Sequence, residues 1–394
     1  MNAFMRADVV TSARGRFTEL VGDASGAVAD LGILVPIAAA LIVKNGLDAG
    51  TVLMGAGALY VGAGLYFGVP VPVQPIKAAA AIAIARELPP ATIGAAGVLL
   101  GGILIVLGAT GWARWLSRIF TPPVVRGLQF GVGLLLLESA VRLNAGASPA
   151  AWAVAAFVAA VMILSAKNQR WPLALALVAV SIAWSLVSEA HTATVSPTLW
   201  HPAVLTGAFE PSVMWSALTL LVVPQIPLTF GNAVVALADL EHEYFGERSR
   251  RVTPVAVSLS CGLANVAVGT LGGMPMCHGS GGLTAHYRSG ARTRRMNLLI
   301  GAPLLVLGLG FGGSAFSLLA LIPISVLAGL LGFTGVMHGL LVTDQRGPSL
   351  AIALAMGIAG VWTSNLAIAL ALGVAMSLAP RAWNFVRRRT TGAR

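Results

Sequence analysis

The sequence predicts an all-α polytopic membrane protein of about fourteen segments, built as two sets of seven in opposite orientation. Three observations carry this. The 394 residues are 57% hydrophobic and 10% charged, with a mean hydropathy of +0.85, whereas a soluble domain carries about 25% charge. Most apolar runs approach the roughly 20 residues a spanning helix needs. The basic residues gather on alternate connections, the pattern of cytoplasmic loops.

The runs lie at 27–44, 51–67, 75–86, 91–111, 123–141, 150–166 and 171–188 in a first repeat (20–188). They lie at 213–238, 252–271, 279–288, 296–313, 323–342, 348–362 and 364–380 in a second (213–383). The stretches 75–86 and 279–288 are too short to span alone. The longest polar connection, SEAHTATVSPTLWHPAVLTGAFEP, separates the sets. With both termini cytoplasmic, the inner loops and tails hold Arg6, Arg14, Arg16, Arg114, Arg118, Lys167, Arg170, Arg248, Arg250, Arg251, Arg292, Arg294, Arg295, Arg346, Arg381 and Arg387 to Arg389. The other side holds Lys44, Arg86 and Arg142. Twelve spans would satisfy this asymmetry too. Seven per set inverts the second against the first, the footprint of an inverted repeat. GVPVPVQP (68–75) aligns with GMPMCHGS (273–280), and LGILVPI (31–37) with VPQIPLT (223–229), at matching places in the two sets.

The net charge of +11 is scattered over short loops, which argues against a nucleic-acid partner and for the lipid bilayer. Cys261 and Cys277 both fall in apolar stretches, so neither a disulfide nor a metal site is expected, and no motif calls for a cofactor. Three of the 25 basic residues are lysine. That skew, with abundant Ala and Gly, goes with a GC-rich bacterial genome, hence a bacterial inner membrane.

GVPVPVQPIK (68–77) places three prolines, Gln74 and Lys77 inside the membrane. Irregular backbone at that depth survives only where it lines a protein cavity. Alternating Val69, Val71 and Val73 favour a short extended strand, and Pro75 suits the first turn of a helix. A strand therefore feeds a half-helix, and MPMCHGSGG repeats the arrangement from the second set. Two helix amino ends facing each other would each offer free N–H groups and about half a positive charge, an anion site. Lys77 adds a full charge, and Gln74, His278 and Ser280 add donors. Proline-glycine breaks also serve mere kinks, but an intramembrane lysine points to function. His278 is as readily a partner for a backbone carbonyl. In VVPQIPLTFGNAVVA (222–236) two prolines interrupt the eighth segment. Gln225, Thr229 and Asn232, at i, i+4 and i+7, share a face and line the cavity or bond between helices. Asp30 is a helix cap or a protonatable coupling group. Glu138 and Arg126 read as snorkelling groups, and His338 as core or gate.

The stretch ADLGILVPIAAALIVKNGLDAGTVLMGAGALYVGAGLYFGVPVPVQPIKAAAAIA resembles the first repeat of the molybdate transporter family, a branch related to the sulfate permeases. PQIPLTFGNAVVA and GGMPMCHGSGGLTAHYRSGAR resemble that family's two signatures in the second half. The resemblance implies a core domain (27–111 and 213–313) rocking against a gate domain (123–188 and 323–380), with oxyanion uptake. It assigns the substrate site to Gln74, Lys77, Gln225, Asn232, Cys277, His278 and Gly279; the residues read by themselves add Pro75, Thr229 and Ser280 to the site and offer Asp30 and His278 as candidate proton carriers. The sulfate permeases carry a cytoplasmic regulatory domain; here RRRTTGAR follows the last segments and reads as a positive-inside anchor. Analogy of fold alone suggests a homodimer.

The expected function is therefore secondary transport of molybdate. Sulfate, or a nucleobase carried with protons, keeps the architecture; the absence of Glu among the polar positions of segments 8 and 10 argues for an oxyanion. An anion channel is the alternative from another class. Paired carboxylates, His-Glu-x-x-His and a nucleophile elbow are all missing from the sequence, which argues against an enzyme.

Overall fold

A computed structural model of the chain describes residues 18–27, 31–112, 121–165, 173–188, 196–312, 314, 321–363 and 365–377. Asp30 lies outside the described residues, as do the arginines of both tails, Arg114, Arg118, Lys167 and Arg170. The first half contains α1 (18–27), α2 (Leu31–Asn45), α3 (Ala49–Phe67), β1 (Gln74–Pro75), α4 (Lys77–Ala85), α5 (Pro90–Thr110), α6 (Pro122–Leu143), α7 (Pro149–Ser165) and α8 (Leu173–Val187). The second contains α9 (Pro211–Ser249), α10 (Pro254–Thr270), β2 (Met276–Cys277), α11 (Ser280–Arg288), α12 (Arg295–Gly310), α13 (Ile324–Gly339), α14 (Gly347–Trp362) and α15 (Leu366–Ser377). Five of these, α3, α5, α6, α9 and α13 with its 3-10 extension to Asp344, are long and apolar enough to cross a membrane.

Local chemistry sets the ends. Asp48 caps α3 by accepting from Thr51 N at 2.7 Å, and Thr253 caps α10 through Ala256 N at 3.2 Å. Proline opens α5, α6, α9, α10 and α14, where its missing N–H costs nothing. Between the halves, α3 packs on α12 and α5 on α10. Small residues let these backbones touch: a Cβ on Gly101 would lie 2.7 Å from the Gly262 carbonyl oxygen, and one on Gly57 would lie 2.7 Å from that of Gly301. A second group forms where α6 packs on α13 and α14, and α7 on α13.

Neither Pro36 nor the two prolines expected to interrupt the eighth segment stop a helix. α2 runs through Pro36. α9 runs through Pro224 and Pro227, because wider π turns at Leu218–Val222 and Thr229–Val235 absorb the lost donors. Nor does α9 stop at 238. EHEYF, polar enough to be expected as loop, continues the helix to Phe245 and ends in a 3-10 turn at Gly246–Ser249.

Helix ends gather on two opposite faces. On one, Arg251 Nη1 donates to Tyr66 O at 3.1 Å, Arg248 Nη2 to Arg292 O at 2.7 Å, and Arg292 N to Asp23 at 2.7 Å. On the other, the connection before α9 crosses the ends of three helices. Trp200 Nε1 donates to Thr51 Oγ1 at 2.9 Å, Thr198 N to Gly310 O at 3.0 Å and Leu205 N to Thr270 O at 2.8 Å. Among the described residues, this second face carries only Lys44, Arg86 and Arg142 as lysine or arginine.

Candidate functional site

The two proline-bearing stretches meet between the halves. β1 and β2 pair antiparallel, Gln74 with Cys277 and Pro75 with Met276, and Ile76 N donates to Pro275 O at 3.1 Å. Each strand feeds a nine-residue helix, α4 or α11. All of Val69, Val71 and Val73 are buried, so this irregular backbone is enclosed in protein.

Two asparagines hold the stretches in place. Asn297 of α12 accepts from Val71 N at 3.0 Å and donates to Val71 O at 2.7 Å. Asn265 of α10 accepts from Met276 N and donates to Met276 O, both at 2.7 Å. Neither was a candidate from the sequence, although a lone Asn in an apolar helix is a readable signal. Asn297→Leu leaves a buried N–H and C=O unpaired, at about 1–3 kcal/mol each. Detergent-solubilised N297L is expected to lose its monodisperse peak on heating well below the wild-type temperature; a superimposable heating curve refutes the clamp.

Lys77 begins α4 and is only 9% exposed. Its Nζ donates to Gln74 Oε1 at 2.5 Å. Among the described residues the ion pairs are Lys44–Glu87, Arg126–Asp344, Arg142–Glu138 and Arg295–Glu19, and none uses Lys77. The opposite stretch comes close: a Cβ on Gly279 would collide with Gln74 Oε1 and lie 3.4 Å from Lys77 Nζ. At the start of α11, Ser280 is buried, whereas Gly281 is exposed and a Cβ on it would meet nothing within 4 Å. Lys77, Gln74, Gly279 and the open start of α11 thus converge.

The remaining candidates divide. Gln225 Oε1 accepts from Ala78 N at 2.9 Å and Ala79 N at 3.1 Å, so two first-turn amides of α4, expected to be free, are capped by α9. Gln225 Nε2 donates to Thr229 Oγ1 at 3.0 Å, so these two do share a face across Pro227. Asn232 lies on the following π turn, and its side chain is outside the described residues. His278 is engaged at both ring nitrogens: Nδ1 with Pro72 O at 2.8 Å and Nε2 with Ser260 Oγ at 2.9 Å. A carbonyl only accepts, so Nδ1 carries a proton and donates to Pro72 O. Cys277 is buried in β2 with Cys261 near it, and both are free thiols. His338 of α13, undecided from the sequence, engages Thr334 O of its own helix through Nδ1 at 3.3 Å.

This fold and site define a polytopic membrane transporter. A family model described as "Molybdate transporter of MFS superfamily" matches residues 22–136 and 217–337. Molybdate transporter 2 of Arabidopsis thaliana is 30% identical over 387 residues, covering 83% of this chain and 80% of the relative. Molybdate transporter 1 of the same plant is 30% identical over 409 residues, covering 89% and 86%. The chain belongs to the molybdate transporter family. Its relatives are transporters, and the chain is a transporter and not an enzyme. The transmembrane domain of the cyanobacterium bicarbonate transporter BicA superimposes with a TM-score of 0.67 at 19% identity, covering 89% of this chain and 97% of that one. Murine Solute Carrier 26 family member A9, an anion transporter in the inward-facing state, gives 0.63 at 15% identity, covering 93% and 68%. The chain shares their fold.

Proposed function

We propose that the chain carries molybdate across a bacterial inner membrane, both termini cytoplasmic, by alternating access around one fixed anion site. The observation that carries this is Lys77: a buried cation at the start of a short helix, bonded to Gln74 and facing Gly279 of the opposed stretch. An ammonium has three donors, of which Gln74 takes one, and a tetrahedral dianion can take the others. α4 and α11 act as half-helices whose amino ends favour negative charge. Gln225 and Thr229 fix α4 as it does so, and Ser280 and Gly281 line the other side.

Core (α2–α5 with α9–α12) and gate (α6–α8 with α13–α15) move against each other. The exchange of contacts supports an inverted repeat. α3 on α12 becomes α10 on α5 when the sets are swapped, and α6 on α14 becomes α13 on α7. The two family-matched stretches also end in corresponding helices, α6 and α13. Inward movement of a dianion against a negative-inside potential costs about 4–5 kcal/mol per 100 mV, which favours coupling to protons or another cation. Asp30 is the coupling candidate; His278, bonded at both nitrogens, braces Pro72 instead.

The test is uptake of labelled molybdate into proteoliposomes, with sulfate as competitor and a pH gradient imposed or removed. Saturable uptake that sulfate competes with only weakly, and that an inward proton gradient accelerates, is expected. Preferential sulfate uptake changes the substrate; single-channel currents overturn the carrier.

A further inference from the structure

Among the described residues, three Asp, Glu, Lys or Arg side chains are buried: Asp23, Lys77 and Glu241. Lys77 belongs to the anion site. Asp23 is satisfied, because its carboxylate accepts from Arg292 N at 2.7 Å and Thr293 N at 2.9 Å. Glu241 of α9 is different: it is wholly buried, and neither carboxyl oxygen has a hydrogen-bond partner. Residues 236–245 of α9 pack on α11. Tyr244, one turn beyond Glu241, stacks on Tyr287 at 4.2 Å and meets Thr284 Oγ1 at 3.4 Å. Next to Tyr287 in the chain is His286, also wholly buried. Its Nδ1 donates to Gly26 O at 2.7 Å, and its Nε2 has no partner. The other charged groups of this region are paired or exposed. Arg292 lies over the Tyr287 ring, Arg248 donates to Arg292 O, and Glu19 pairs with Arg295. Asp239, His242, Glu243, Glu247 and Arg288 are exposed. Buried polar groups are ordinarily satisfied, so two unmet ones at one helix junction call for a function.

We propose that Glu241 is a proton-binding site of the transport cycle, loaded in this conformation and discharged to the cytoplasm in another. An ionised carboxylate cut off from water, donors and counter-charge is too costly to keep, so a group placed like Glu241 holds its proton. α11 ties this site to the anion. Its first residue, Ser280, lies at the anion site, and His286 sits about 9 Å further along the same axis at 1.5 Å per residue. Glu241 itself lies two turns before Arg248, which joins the face proposed as cytoplasmic. The π turn at Thr229–Val235, directly before this stretch of α9, is where such a helix bends. When water reaches the carboxyl, its O–H bond breaks, the proton passes to water and a carboxylate remains; reprotonation resets the site. A dianion moves two charges against the membrane potential. One proton at Asp30 offsets half of that, and a second at Glu241 offsets the rest.

The proposal rests on the transport function inferred above, and two readouts separate them. The first needs no transport. The infrared difference between wild type and E241Q at neutral pH is expected to show the carbonyl stretch of a protonated carboxyl group; a carboxylate band in its place overturns the site. Where E241Q does not fold, E241D gives the same reading: a shifted protonated-carboxyl band supports the site, and an unshifted spectrum overturns it. The second readout uses proteoliposomes with the membrane potential clamped at zero. One pH unit is worth about 1.4 kcal/mol for each proton carried, or tenfold in accumulation. Molybdate accumulation driven by an inward gradient of one pH unit is therefore expected to fall about tenfold in E241Q. Exchange of internal for external molybdate, which needs no net proton release, is expected to continue. Undiminished gradient-driven accumulation in E241Q, loss of exchange together with accumulation, or a wild type driven by sodium and not by protons overturns the proton site and leaves the carrier standing. A wild type that carries no oxyanion overturns the transport reading and this one with it.

Discussion

Lys77→Ala is expected to lower molybdate uptake by roughly 30- to 3000-fold while leaving the fold intact. Truncating one partner of a buried charge pair costs about 2–5 kcal/mol, and each 1.4 kcal/mol is tenfold. The structural cost is small, because Lys77 gives the protein one hydrogen bond, to Gln74, and no ion pair among the described residues. A buried cation without a counter-charge burdens the empty protein, so its removal leaves thermal stability unchanged or raised. Loss of uptake with stability held is the signature of a binding charge rather than a structural one. Lys77→Arg keeps the charge but changes its shape and is expected to fall between. Uptake rates paired with heated size-exclusion profiles read both quantities. Normal uptake by the alanine variant, or joint loss of uptake and fold, refutes the assignment.

Gly279→Ala is expected to be nearly as damaging by a different route. Gly279 has φ −86° and ψ 130°, a conformation any residue adopts, so backbone strain is not the cause. The added methyl collides with Gln74 Oε1 and presses on Lys77 Nζ at 3.4 Å. The Gln74 amide must leave Lys77, or β1 must part from β2. Overpacking of this kind costs about 1–3 kcal/mol in stability, and the displaced lysine lowers uptake by roughly 100-fold on the same charge-pair scale. The double variant Gly279→Ala with Gln74→Ala removes the colliding atom. It is expected to regain stability without regaining transport. Recovery of both would show that the glycine serves packing alone.

Much of the architecture was legible because hydrocarbon imposes a length. The fourth segment, expected at 91–111, is Pro90–Thr110, and the fifth, expected at 123–141, is Pro122–Leu143. Apolar runs of spanning length and prolines at first turns, such as Pro90 and Pro122, are one-dimensional signals that survive folding; Pro75, expected in the first turn of a half-helix, instead lies in β1, and α4 begins two residues later at Lys77. The candidate site was legible in part for the same reason. Prolines, a glutamine and a lysine inside an apolar run contradict the bilayer unless a cavity accounts for them.

Other features were hidden because they depend on what fills a backbone vacancy. Pro224 and Pro227 read as breaks, yet π turns reroute the hydrogen bonds and α9 continues. EHEYF read as loop, yet it prolongs α9 beyond the apolar run, where hydropathy no longer reports on helix.

By itself, then, the sequence determined a multi-pass helical transporter with polar, helix-breaking stretches and one lysine in its apolar interior, because burial in lipid leaves few other solutions. Tertiary structure alone decided who meets whom. Gln225 caps α4 from 147 residues away, and Asn297 clamps Val71 from 226 residues away. Those pairings follow from three-dimensional packing of buried donors against acceptors, and no periodicity along the chain records which distant group will satisfy which.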